Sequence, residues 1–326
     1  MVCSKKYGDC KAVAGLISVL CRQMGMTADP ILIGTRPQLG KVPLELPGPF
    51  HFNHSIARVV ADGKVYWMDA TVRDASFDTT PYSDQGVDVL VAHPGKPFLD
   101  HIPVQGPETN NIEGTVTIVP EKDGSLSLKL TGKATGNYAM IYRSIANMYT
   151  GKQFEQKILS KILTSAYPEA NLKEFKYTGK ERNDEPFTMD VSASIPNAVQ
   201  SMDKGVTIEV KSPLRPRVFT SFDIPKRHYP VDLEFLSSIN LRFEVKIPSG
   251  MVPSGMPRNV VFEDEYVKLE RLAQIENDDV VAIYNFSFKQ LIIPPEKYKA
   301  ARASFQKALD ASKFVLIFEP PKKKNT

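Results

Sequence analysis

The chain has 326 residues, 42% of them apolar and 24% charged, with a formal net charge of +4. That is the composition of an ordinary globular protein, long enough for two domains. No stretch approaches the roughly 18–20 consecutive apolar residues of a membrane span, and the basic residues are spread among acids instead of forming the face that nucleic acid requires.

The first six residues, Met1-Val2-Cys3-Ser4-Lys5-Lys6, carry no apolar run behind their lysines and do not read as a signal peptide. Residues 11–24 follow with Val13, Leu16, Ile17, Leu20 and Met24 at helical spacing and Gly25 as a stop. Asp9 stands where an N-cap belongs, which puts Cys10 in the first turn. Pro30 to Gly34 reads as a short buried strand, and a Pro/Gly-rich loop from Arg36 to Pro49 is long enough to be a candidate substrate rim. Two strand-like runs, 52–60 and 64–68, flank Asp62-Gly63, a strong hairpin signal. Residues 71–106 read as loop, which sets a domain boundary near 105 and divides the chain into 1–105 and 106–326.

The second part reads as mostly β. Hairpins are expected around Asp123-Gly124 and Asn277-Asp278-Asp279, and alternating strands at 187–195, 206–211, 241–247, 266–275 and 280–289. Helices are expected near 152–166 and 295–312, and a closing strand at 314–318. Many short strands suggest a β-sandwich-like module. Lys322-Lys323-Lys324, the one basic run, reads as a solvated tail.

The three cysteines, Cys3, Cys10 and Cys21, are odd in number and form no CxxC pair, so neither a disulfide framework nor a zinc site is implied. A thiol becomes a nucleophile as thiolate, and a helix N-terminus favours that charge. Cys10 has this setting, with Lys11 beside it. Cys21 lies late in the helix as a packing residue, and Cys3 in an extended segment. Such a nucleophile needs a base, and the base needs an orienting group. With a two-residue turn at Asp62-Gly63, paired positions sum to 125, Asp69 faces Ile56, and His54 is its diagonal neighbour on the same face. A register shifted by one would set His54 directly opposite Asp69; either serves. His51 projects to the other face. His93, His101 and His228 have no partner at an informative spacing. Zinc on Cys10, His54 and Asp69 would lack a fourth ligand, and no metal or cofactor is called for.

Lys6-Tyr7-Gly8-Asp9-Cys10-Lys11, Phe52-Asn53-His54-Ser55 and Tyr66-Trp67-Met68-Asp69-Ala70-Thr71 together resemble the core of the bacterial transglutaminase-like superfamily. The segment from Ile112 to Glu319, with Arg227-His228-Tyr229-Pro230-Val231 and Ile247-Pro248-Ser249-Gly250, resembles the β-rich domain that follows that core in secreted or periplasmic proteins. The resemblance implies an α+β fold: a papain-like core, lacking its upstream part here, before a β-sandwich-like domain with two helices. It implies Cys10 as nucleophile, His54 as general base and acid, and Asp69 fixing the imidazole tautomer, with Trp67 as packing. The expected reaction is acyl transfer on a protein or peptide amide through a thioester, ending in hydrolysis or in transfer to an amine. The upstream part often supplies an oxyanion donor, and the Cys10 N–H could replace only one. The rival reading is a non-catalytic protein- or glycan-binding module built on a degenerate core. Periplasmic or secreted placement follows from the resemblance alone, and the oligomeric state stays open.

Overall fold

The computed structural model describes residues 2–36, 48–149, 151–154, 160–214 and 217–322. The expected rim loop, Arg36–Pro49, lies mostly outside them, as do the last lysines of the tail.

Helix α1, Val2–Lys5, is one turn, so Cys3 sits on a helical backbone and not on an extended one. Helix α2, Cys10–Gln23, starts at its Asp9 cap. Strands β1 (Thr27–Ile33), β2 (His54–Ala61), β3 (Lys64–Met68), β4 (Val87–Val91) and β5 (Phe98–Ile102) then build one antiparallel sheet in the order β3-β2-β1-β4-β5. The β2–β3 turn has φ 50° at Asp62 and 73° at Gly63. Positive φ at both central positions is the tight hairpin turn whose twist matches its strands. The ladder runs from Ala61↔Lys64 to Ala57↔Met68, the register in which pairs sum to 125.

Period two divides this sheet. Ala28, Ala57 and Val59 face Cys21 of α2, while Ile31, Ile33, Ile56, Trp67, Val87, Val89, Val91 and Ile102 cluster on the other face. Trp67 is packing, with the Arg58 guanidinium 5.7 Å from its ring centroid.

The α+β papain-like core is not what these residues make. The chain is mostly β, 43% strand against 21% helix. Residues expected to be loop supply β4 and β5, so among the described residues up to Ile102 there is a five-stranded antiparallel sheet carrying a single helix longer than one turn. The physical reason is in Val87-Asp88-Val89-Leu90-Val91, which alternates buried and half-buried side chains. A short strand with one buried face needs little more than that, and the Gly, Pro and Asp residues around it mark its turns.

The β-rich second part does fit the expectation. Strands β6 (Asn111–Pro120), β7 (Leu126–Ala134), β8 (Asn171–Thr178), β9 (Phe187–Ile195), β10 (Val199–Met202), β11 (Gly205–Lys211), β12 (Val231–Asp232), β13 (Ser238–Lys246), β14 (Val252–Gly255), β15 (Val260–Glu263), β16 (Val267–Glu276), β17 (Asp279–Phe288), β18 (Ile292–Ile293) and β19 (Lys313–Glu319) follow. Eight of them form a half-barrel sheet, β15-β16-β17-β13-β6-β7-β9-β8, in which only β13 and β6 run parallel. A second sheet, β10-β11-β19-β14, shares its core, with Phe243 edge-on to Phe314 at 5.7 Å. Helix α3, Gly136–Met148, was not expected; the described part of the expected 152–166 helix is a short turn at Lys152–Phe154 and α4, Ser160–Ala166. Helix α5, Tyr298–Ala311, buries Phe305 at 5.4 Å from Phe288.

Polar clasps join the two parts. Buried Arg36 donates to Asp232 at 2.9 Å and to the carbonyls of Gln85 and Glu234. Arg143, 1% exposed, donates to the carbonyls of Asp74, Gly179 and Glu185. Asn137 accepts from Tyr82 N–H at 2.9 Å and donates to the Thr80 carbonyl.

Candidate functional site

Asp9 has extended backbone and its Oδ1 accepts the Ala12 N–H at 3.0 Å, which fixes the first turn of α2. Cys10 is therefore the first helical residue, half-exposed, where backbone N–H groups lack intrahelical partners. Ser55 and Ala57 of β2 point to the α2 side, and the Ser55 N–H lies near enough to the Cys10 thiol to lower its pKa.

His54 opens β2 opposite Ile33 and shares its face with Ile56 and Trp67. Asp69 follows β3, one position past the last ladder pair and on that same face. The two meet: His54 Nε2 lies 2.9 Å from Asp69 Oδ2, with side-chain exposures of 16% and 2%. The other Asp69 oxygen, Oδ1, accepts the Thr71 N–H at 2.9 Å and its hydroxyl at 2.7 Å. Because Nε2 is taken by Asp69, Nδ1 is the ring nitrogen left for the thiol, and His54 and Cys10 are close enough to shift each other's protonation. The three residues singled out in the sequence are thus brought to one place.

Their electrostatics agree. Partial burial pushes the Cys10 thiol up, but the hydrogen bond and charge of His54, the Ser55 N–H and Lys11 outweigh it, and the net shift is downward. The Asp69 hydrogen bond raises His54 to about 9 against the opposing cost of burial, with Cys10 and Asp84 adding to it. Burial pushes Asp69 up, yet its bonds from His54 and Thr71 hold it below the usual carboxylate range. Such an arrangement favours a thiolate beside an imidazolium, the form in which a cysteine is nucleophilic at neutral pH.

A residue the sequence reading passed over completes the cluster. Asp84 closes a short turn, Tyr82–Asp84, and is fully buried. Atoms of His54, Asp69 and Asp84 that could ligate a metal lie within 4.8 Å of one another, although the direct 2.9 Å bond between His54 and Asp69 already occupies the space between those two. Pro81-Tyr82-Ser83-Asp84-Gln85-Gly86 looks like any polar turn, and only burial sets its acid apart.

The remaining candidates go elsewhere. Cys21 is buried in the α2–sheet cluster. His51 lies in a short turn, Pro49–His51, and not on a strand. His93, just past β4, pairs with Asp29 of β1 at 3.0 Å, and His101 pairs with Asp88, its opposite residue in the β4–β5 ladder, at 2.8 Å. Beside Asp69 a pocket of about 260 Å³ is lined by Ile17, Trp67, Met68, Arg73 and Phe77 among others.

Two comparisons place this architecture among known proteins. Residues 208–318 match a family model described as a domain of unknown function, DUF3858, which covers part of the β-rich region and none of Cys10, His54 or Asp69. The crystal structure of a candidate protease from Parabacteroides distasonis aligns with 98% of this chain at a TM-score of 0.54 and 12% identity. The chain spans 45% of that protein's length, and at this identity the likeness is one of fold. No curated protein matches.

Proposed function

We propose that the protein is a cysteine-dependent acyl-transfer enzyme acting on protein or peptide amides, with Cys10 as nucleophile, His54 as general base and acid, and Asp69 as the group that orients the imidazole. The observation that carries this reading is His54 held between Cys10 and the buried Asp69 carboxylate, at 2.9 Å from the latter. In the reaction, the Cys10 sulfur attacks the amide carbonyl carbon and the C–N bond breaks. The imidazolium of His54 gives its proton to the departing amine, leaving a thioester. Water then yields the acid, or a primary amine yields a new amide, and His54 takes the proton from either. Hydrolysis is the default outcome where no amine is bound. The Cys10 N–H at the start of α2 is one donor for the oxyanion; such a donor is worth roughly 2.7–4 kcal/mol in comparable sites.

In this reading residues 1–105 carry the chemistry and 106–326 form a separate β-rich domain. The likeness in fold to a candidate protease supports it coarsely, and a periplasmic or secreted setting belongs to the same proposal. Among the described residues no helix is long and apolar enough to cross a membrane.

The test is iodoacetamide labelling of the protein at pH 5–9, with sites mapped by mass spectrometry. Cys10 should label about ten-fold or more faster than Cys21 at pH 6–7, where an ordinary thiol of pKa about 8.5 is largely protonated. His54→Ala should abolish the advantage. Equal, slow labelling in both proteins would mean that the thiol is not activated, and the binding-module reading would replace this one.

A further inference from the structure

Asp84 has no role in the reaction as written, yet few buried acids are so firmly placed. Its N–H bonds to the Pro81 carbonyl at 2.9 Å. The preceding Tyr82 N–H is held by Asn137, and the following Gln85 side chain is bonded to the Thr80 carbonyl at 2.6 Å and to Gln105. Gly86 then has φ 69°, and a Cβ there would stand 2.9 Å from Val104. The turn is fixed from both sides, and it delivers a fully buried carboxyl group to the back of His54 and Asp69.

The hydrogen-bond accounting around the two acids is uneven. Asp69 accepts from three donors: the Thr71 N–H and hydroxyl on Oδ1, and His54 on Oδ2. A carboxylate has about four acceptor positions, so one position remains. Asp84 accepts at Oδ1 from the Ser83 hydroxyl at 2.9 Å, and its Oδ2 has no partner. Two bare carboxylates this close in a buried site would repel strongly. A single proton removes the repulsion and satisfies both the orphaned Oδ2 and the open position on Asp69. Three donors stabilise Asp69 as the anion, so the proton belongs on the less solvated-by-donors acid, Asp84.

We propose that Asp84 is a positioning residue for the Cys10–His54–Asp69 site: it donates a shared proton to Asp69, so that the two carboxyl groups carry one negative charge behind His54. The shared proton pins the Asp69 carboxylate in the plane that His54 requires and keeps the charge opposite the imidazole at one. Burial and the neighbouring Asp69 charge raise Asp84 to about 7, with Ser83 and His54 working against them. Among the described residues, the charged groups facing Asp84 are Asp69 from the end of β3 and His54 from β2. Arg36, which reaches the Gln85 carbonyl, is engaged with Asp232 and Glu234. The idea rests on the reading of Cys10 as a nucleophile only for its purpose; the proton itself is present or absent whatever Cys10 does.

The experiment is carbon-13 NMR of the intact protein labelled at aspartate carboxyls, titrated from pH 4 to 9 in wild type and Asp84→Asn. One carboxyl, connected through its own Cβ and Cα to Asp84, should titrate near neutrality, with an inflection at the same pH in the His54 ring signals. Asp84→Asn should lose both. It should also resist urea better than wild type at pH 8 and no better at pH 4, because a raised acid weakens the fold as pH climbs from its unfolded to its folded value. An Asp84 carboxyl already ionised at pH 5 overturns the proposal. So does a carboxyl that responds to millimolar Mg²⁺ or Zn²⁺ instead of to pH, which would make the cluster a cation site. If Asp84→Asn fails to fold, the wild-type carboxyl titration still decides.

Discussion

At the scale of single residues, the site is a chain of hydrogen bonds with calculable pH behaviour. His54 stays protonated to about 9 because of Asp69, whereas a free imidazole titrates near 6.5. Its stabilising contribution is therefore complete below about pH 6.5 and is lost as pH rises through about 9. Asp69 has the opposite sense: lowered in the fold, it contributes above about pH 4 and loses that contribution as pH falls through its folded value. Asp69→Asn should thus lower the urea midpoint most between about pH 5 and 6.5, with the deficit shrinking as pH rises from about 6.5 to 9. Parallel urea titrations of wild type and variant check this; a deficit that ignores pH would show that no ion pair exists. That Cys10, His54 and Asp69 meet was legible from the three together, a cysteine at a helix start and a histidine and an acid on one face of a hairpin, although each alone has commoner structural uses. Asp84 was not, since a carboxylate in a polar turn is ordinary until the surrounding chain buries it.

At the scale of elements, the proposed reactivity of Cys10 depends on how α2 begins. The cap bond from Ala12 N–H to Asp9 is the local device that starts the helix there. Asp9→Ala should cost about 0.5–2 kcal/mol in thermal or urea unfolding. It should also slow Cys10 labelling at neutral pH, because a frayed first turn no longer holds the thiol beside His54 and the Ser55 N–H. Unchanged labelling with the expected loss of stability would assign the thiol's activation to His54 alone. The β2–β3 hairpin was readable from Asp62-Gly63, since two positive φ values in a two-residue turn leave one register. Strands β4 and β5 and helix α3 were not. Their runs of five to thirteen residues are short or interrupted, and what makes them regular is pairing with distant partners: β4 lies against β1, more than fifty positions earlier.

At the scale of the whole molecule, the two parts are joined by buried cations reading backbone carbonyls. Arg143 in α3 holds Asp74 of the first part and Gly179 and Glu185 of the second. Arg143→Met preserves much of the stem but leaves three partly buried carbonyl acceptors without their donor. It should destabilise the protein by on the order of 3 kcal/mol, at about 1–3 kcal/mol for each group left unpaired and partial relief by water. Thermal unfolding of wild type and Arg143→Met measures it, and a loss below about 1 kcal/mol, the size of an ordinary surface substitution, would show that the clasp is incidental. The expected papain-like α+β core fails at this scale as well. A helix with a cysteine at its start and a hairpin with a histidine and an acid specify a local arrangement, and a sheet with one sizeable helix on its face provides that arrangement without a papain-like body around it.

The sequence by itself determined the local geometry: where α2 starts, the register of β2 against β3, the alternating strands of the β-rich part, and the residue types that meet. Those features rest on interactions within a few residues or across one tight turn, and capping, turn dihedrals and period two encode them directly. The five-stranded sheet, the half-barrel and its second sheet, the arginine clasps and the burial of Asp84 were decided only by the tertiary structure. Each depends on contacts between residues tens to hundreds of positions apart, and burial, which turns an ordinary acid into a proton-sharing one, is a property of the assembled chain.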